Sequence, residues 1–140
     1  MTKTTTTTTD AAPGAALMDA LLRHDLDDVA ELFAANVHVR GLQPQEPFEA
    51  DGRDAAVALY AAGYVNDAMQ RIDILDTGAI GDRRYMAYRC EWIVPLELAE
   101  AVGQPAGTTM AFQQHAFYDT DDDGRITWLH LLCSGNHPVS

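Results

Sequence analysis

Four residues in the last quarter of the chain carry groups able to do chemistry: Gln114, His115, His130 and Cys133. An imidazole that titrates near neutrality can move a proton, an amide can hydrogen-bond a polarised carbonyl, and a thiolate can attack an electrophile. These residues sit on two apolar, aromatic-rich runs, Gly107 to Tyr118 and Arg125 to Gly135, joined by Asp119-Thr-Asp-Asp-Asp-Gly124. Two such runs around a polar turn ending in glycine predict a β-hairpin. Side chains alternate across a strand, so Gln114 and His115 point to opposite faces. If Tyr118 pairs with Arg125, His115 lies opposite Trp128 and shares a face with Phe117, His130 and Leu132. The other face then holds Met110, Phe112, Gln114, Ala116, Leu129, Leu131 and Cys133, and it is the more apolar of the two. A one-residue slip would change which residues of the last strand join His115.

The turn resembles the first half of a calcium loop, with carboxylates at alternate positions and glycine at the sixth. His130 stands where a bidentate glutamate is needed and the flanks are strands, so a plain hairpin turn with no metal is expected. Cys133 has no visible activating neighbour and reads as a wall thiol. Tyr88 belongs to the run Arg83 to Val94, whose even positions Arg84, Met86, Tyr88, Cys90, Trp92 and Val94 form the buried face of a long strand.

The elements that must position these groups can be read upstream. Met1 to Gly14, with six consecutive threonines and Pro13-Gly14, reads as a disordered tail. Leu17, Leu21 and Leu22 predict a first helix over 15–23. Asp25 predicts an N-cap, with Asp27 and Asp28 in the first turn of a second helix over 26–35. Val37 to Gly41 alternates as a short strand, and Pro44 and Pro47 mark a loop. Asp51-Gly-Arg-Asp opens a third helix with Leu59, Tyr60 and Tyr64 inward. Arg71 to Leu75 is a strand, Gly78 to Asp82 a turn, and 96–106 a long connection before the hairpin. Helices first and antiparallel strands after predict an α+β domain.

With 140 residues the chain is long enough for one domain with its own core. A formal net charge of −12 argues against nucleic-acid phosphate and anionic membrane surfaces as partners. No run of eighteen apolar residues and no secretory signal is present, so a cytoplasmic protein is the default. Cys90 and Cys133 lie in predicted strands, where free thiols are the usual reading and a single disulfide the alternative.

The order of elements resembles the SnoaL-like proteins, a branch of the nuclear transport factor 2 fold that also contains ketosteroid isomerases and limonene epoxide hydrolases. Asp25-Leu-Asp-Asp-Val-Ala-Glu-Leu-Phe33, Gly52-Arg-Asp-Ala-Ala-Val-Ala-Leu-Tyr60, Val102-Gly-Gln-Pro-Ala-Gly107 and Asp123-Gly-Arg-Ile126 carry the resemblance. It implies a cone-shaped, curved antiparallel sheet closed by three N-terminal helices, with an apolar cavity inside. The domain would span 15–140 and form a homodimer through the outer sheet face. The family's catalytic positions are matched incompletely. The isomerase base falls at Gly41, its oxyanion tyrosine at Leu17, and its second acid at Gln114 or His115. The histidine of the polyketide cyclases is matched by His115, but their aspartate falls at Leu131. The epoxide hydrolase carboxylate and arginine set finds no match on the two strands of the hairpin.

These readings together lead us to expect a cofactor-independent enzyme acting on a mostly apolar small molecule by isomerisation, cyclisation or dehydration of a natural-product type. His115 would move the proton, and Tyr88 and Gln114 would hydrogen-bond a carbonyl or enolate. Tyr60, Tyr64, Trp92, Phe112, Leu131 and Cys133 would line the cavity. A variant of the same idea is a cyclase that works by shape alone. The alternative is a non-catalytic ligand-binding or dimerisation module of the same fold.

Overall fold

The computed structural model describes residues 4–6, 12–42, 47–63 and 68–139. In chain order the elements are β1 (Thr4–Thr6), α1 (Ala12–Leu22), α2 (Leu26–Leu32), β2 (Phe33–Leu42), β3 (Phe48–Asp51) and α3 (Arg53–Gly63). They continue with β4 (Met69–Ile80), β5 (Arg83–Ile93), α4 (Ala99–Val102), β6 (Thr109–Thr120), β7 (Ile126–Cys133) and β8 (His137–Pro138). One curved, unclosed sheet runs β1-β4-β5-β6-β7-β2-β3, with β8 paired to β6. This is the expected α+β cone, with one correction to its sheet. It is mixed, because β1 runs parallel to β4 and β2 parallel to β7, while the other pairs are antiparallel.

The helices lie on the inner face because their apolar stripes have nowhere else to be buried. Leu17, Met18, Leu21 and Leu22 of α1, Val29 of α2, and Ala56 and Tyr60 of α3 join one core with the sheet. From the sheet come Val37, Val39, Ile72, Ile74, Met86, Tyr88, Cys90, Phe112, Ala116, Tyr118, Leu129 and Leu131. At the start of α1 the approach is close. A Cβ on Gly14 would lie 2.9 Å from Met86 Cε and 3.0 Å from the Tyr118 hydroxyl, so glycine lets the chain reach the sheet. The N-cap is formed as expected: the Asp25 side chain accepts the Asp28 N–H at 3.1 Å. Arg23 ties α1 to α2 through Asp19, Asp25 and Asp28, all at the surface.

Several boundaries differ from the sequence reading. The expected tail is structured in part: Thr4–Thr6 pairs with Arg71 to Asp73, and α1 begins at Ala12. β-Branched threonines suit a sheet edge, and a proline fits the first turn of a helix. Helix α2 stops at Leu32, and Phe33 enters β2, whose C-terminal half pairs with β7. Phe48–Asp51, read as loop, forms an edge strand on β2. Strand β4 runs past Leu75 to Ile80 because β5 supplies a partner along its whole length.

Candidate functional site

The site is built on the inner face of β5, β6 and β7. Cross-strand pairing sets Tyr88 beside Gln114, and Gln114 beside Cys133, in one row across three strands. The Tyr88 hydroxyl donates to Gln114 Oε1. Gln114 is 3% exposed and is the one buried polar or charged residue in the core among the described residues. A buried amide is costly unless its groups are satisfied, so the contact with Tyr88 fixes its orientation. Its amide also hydrogen-bonds the Cys133 thiol. Cys133 is half-buried, and its Sγ donates to the Ser134 carbonyl at 3.0 Å.

Apolar rows flank this polar one. Cys90 pairs with Phe112 on one side. On the other, Met86, Ala116, Leu131 and Gly41 follow one another across four strands. Tyr60 reaches the core from α3 and stacks on Phe33 with centroids 6.0 Å apart. Trp92 is half-buried between Met69 and Met110, and its indole N–H donates to Asn136 Oδ1 at 2.8 Å. Tyr64 lies outside the described residues. Both cysteines are free thiols.

The electrostatics inside are those of a neutral lining. Burial pushes the Cys90 thiol far above its ordinary range, with Cys133 and Asp73 acting in the same direction. Burial likewise raises the Tyr60 hydroxyl. The Cys133 thiol is raised by burial and partly drawn back by Gln114. These groups stay protonated through neutral pH. A protonated thiol is a poor nucleophile, so hydrogen bonding is the chemistry this wall supplies.

His115 is not part of it. Strand β6 buries Met110, Phe112, Gln114, Ala116 and Tyr118 on the inner side and turns His115 outward. There the Tyr85 hydroxyl and His115 Nδ1 are 2.9 Å apart, and Gln113 Nε2 lies 3.3 Å from His115 Nε2. The expected grouping of His115 with Tyr88 and Gln114 is therefore corrected, because neighbouring strand residues face opposite sides. The hairpin register also differs. Tyr118 pairs with Leu129 and not with Arg125, a shift of four residues that preserves the faces. The reason lies in the turn. Asp121 Oδ1 accepts the N–H groups of Asp123 and Arg125 at 2.9 and 3.0 Å, and Gly124 takes φ +80°. Asp119 and Thr120 extend β6 across a bulge, and Asp119 is held by Arg83 at 2.9 and 3.0 Å.

Two open grooves of roughly 690 and 430 Å³ lie by the β4–β5 hairpin. Neither is lined by Tyr88, Gln114 or Cys133, and neither bears on this row.

A SnoaL-like domain model matches residues 15–129. The chain belongs to the SnoaL-like family. No curated protein sequence matches it. Among solved structures it is similar to SalBIII, an epoxide hydrolase/cyclase-like enzyme of pyran ring formation in the polyether salinomycin. That likeness has 15% identity and a TM-score of 0.69, covering 89% of this chain and 90% of the other. A protein assigned as a SnoaL-like polyketide cyclase from Shewanella denitrificans OS-217 is similar at 14% identity and TM-score 0.64, over 89% and 90% of the two chains. A Catenulispora acidiphila DSM 44928 protein of ketosteroid isomerase-like fold, in complex with trimethylamine, gives 18% identity and TM-score 0.66, over 89% and 85%. At these identities the likeness shows the fold.

For this member of the SnoaL-like family, the positions at which the resemblance asked for carboxylates and a tyrosine are filled differently. Gly41 is buried, Leu17 is 1% exposed in the core, and Leu131 packs opposite Ala116. Two residues were missed by the sequence reading: Phe48 on the inner face, and exposed Asn136, which accepts the Trp92 indole N–H. The alternation of Phe48-Glu-Ala-Asp51 after Pro47 was the available signal for the first. Nothing local to Asn136 pointed to Trp92, which lies forty-four residues away. Among the described residues no helix is long and apolar enough to cross a membrane.

Proposed function

We propose that the protein takes a neutral, mostly apolar small molecule bearing a carbonyl into the cone and converts it without a cofactor. The reaction class is isomerisation, cyclisation or dehydration of a natural-product type. The observation that carries this is the single polar row, Tyr88–Gln114–Cys133, on an otherwise apolar inner wall. Gln114, oriented by Tyr88, hydrogen-bonds the carbonyl as charge builds on its oxygen, and the apolar rows hold the molecule in a reactive shape. The family and its cyclase-like and isomerase-like structural neighbours support an enzyme of this kind. Incubation with a panel of neutral polyketide-like ketones, followed by mass spectrometry and chiral chromatography, tests it. A product that Gln114→Leu fails to make is the expected result. Ligands recovered unchanged across the panel sink the catalytic reading.

That outcome would favour a second reading, a non-catalytic ligand-binding module. The filled positions Gly41 and Leu131, where the resemblance asked for carboxylates, speak for it. In either case we propose a homodimer through the outer sheet face, where Leu132 is 42% exposed beside half-buried Phe117, Trp128 and His130. Light scattering of Leu132→Glu, compared with wild type, tests the dimer; an unchanged mass sinks it. We also place the protein in the cytoplasm, which its two free thiols support. Fractionation of the producing cells would decide.

A further inference from the structure

We infer that Phe48 sets the size of molecule the interior accepts, an inference that rests on the ligand-binding reading above. Phe48 is paired with Gly41 across β2 and β3. A Cβ on Gly41 would lie 2.0 Å from Phe48 Cζ and 2.4 and 2.5 Å from its two Cε atoms. The end of the ring therefore rests on the Gly41 backbone and takes the space any side chain at position 41 would use. Gly41 pairs with Leu131, and Leu131 with Ala116. Glycine and alanine at two places keep side-chain bulk low in this row, one step along the strands from Gln114 and Cys133, and the core packs over it, with Ala116 1% and Leu131 2% exposed. The Phe48 ring fills the space over the Gly41 end of that row.

Its placement suits a size limit better than a core anchor. β3 is the last strand of the sheet, and Phe48 is only partly buried, packed against the rim of the core. A molecule whose carbonyl meets Gln114 extends past Ala116 and Leu131 and stops at the ring. The substrate class is thus a compact neutral ketone of one or two rings. A rigid four-ring ketone would have to displace Phe48.

Titration with 2-acetonaphthone and with progesterone, read by quenching of tryptophan fluorescence, tests this in wild type and Phe48→Ala. Phe48→Ala should bind progesterone about tenfold more tightly than wild type and 2-acetonaphthone within about threefold. Equal changes for the two ketones, or unchanged progesterone affinity, overturn the size limit while leaving the proposed function standing. A wild type that binds neither ketone overturns the proposed function and this inference with it. Thermal melts test the contact itself without any ligand. Gly41→Ala should lower Tm by about 5 °C in wild type and by about 1 °C in the Phe48→Ala background. Equal losses in the two backgrounds overturn the contact. Phe48→Leu, which keeps apolar cover on the edge strand, supplies the same comparisons if the alanine variant does not fold.

Discussion

The two faces of β5, β6 and β7 are made by the same strands and differ in chemistry. Inside, Tyr88, Gln114 and Cys133 form one polar row among apolar neighbours, and burial raises the Cys133 thiol. Outside, Tyr85, His115, Phe117, Trp128 and His130 form a half-buried aromatic strip, with Arg83 3.9 Å above the Trp128 ring and paired to Asp119. The residue type best suited to moving protons is on the outer face, and among the described residues the polar groups of the inner face are weak acids and an amide. The comparison teaches that catalytic potential, judged by residue type, does not locate a site. Depth decides how much a hydrogen bond is worth, because the inner wall is dry and the outer one meets water.

The largest expected effect contrasts Gln114 with its chain neighbour. Gln114→Leu should lower kcat/KM by about 100-fold, in the range seen when one preorganised donor is removed. His115→Ala should leave it within about threefold. Steady-state kinetics on the ketone panel measures both, and a larger loss for His115→Ala would reverse the assignment of faces. It would also restore the proton-transfer role that the hairpin first suggested.

The next effect concerns pH. The folded state raises the Cys90 thiol above its unfolded value, so folding favours the protonated form. The stability this confers is intact below about pH 8.5 and is lost as pH rises above it, at up to about 1.4 kcal/mol per pH unit. Urea unfolding from pH 7 to 10.5 should show this fall, and Cys90→Ala should flatten it. An identical slope in the variant would mean that other groups dominate. Through the range of pH 5 to 8 the same neutral lining predicts a flat rate profile, and a bell-shaped profile would count against the inner site.

Paired hydroxyl deletions sharpen the contrast further. Tyr88→Phe removes the donor to buried Gln114 Oε1 and should cost about 1–2 kcal/mol. Tyr85→Phe removes the partly exposed bond to His115 and should cost about 0.5 kcal/mol. Equal costs in chemical denaturation would show that the two faces do not differ in depth as described. The smallest effect is expected of Asp119→Asn, which breaks an exposed ion pair worth about 0.5 kcal/mol and should respond to salt.

Much of this architecture is legible in the sequence. Alternation along 83–94 and 109–118 marked Tyr88, Cys90, Phe112 and Gln114 as one face, since a half-buried strand must repeat every two residues. Asp25 announced its cap through the local chemistry of a helix start. Leu17, Leu21 and Leu22 marked the inward stripe of α1. What failed to show were features that depend on partners far along the chain. β3 became a strand because β2 offered it an edge, and β4 ran on to Ile80 because β5 did. Thr4–Thr6 was added to β4 in the same way.

The sequence by itself determined the periodicities, and hence which residues travel together: Gln114 with Phe112 and Tyr118, and His115 with Phe117. Only the tertiary structure decided which group faces the helices. That choice depends on where the stripes of α1, α2 and α3 come to be buried. It also decided the hairpin register, through a turn that Asp121 closes with two of its neighbours' N–H groups. Finally, it laid Phe48 on Gly41, a contact no local pattern encodes because its meaning depends on the space between two strands.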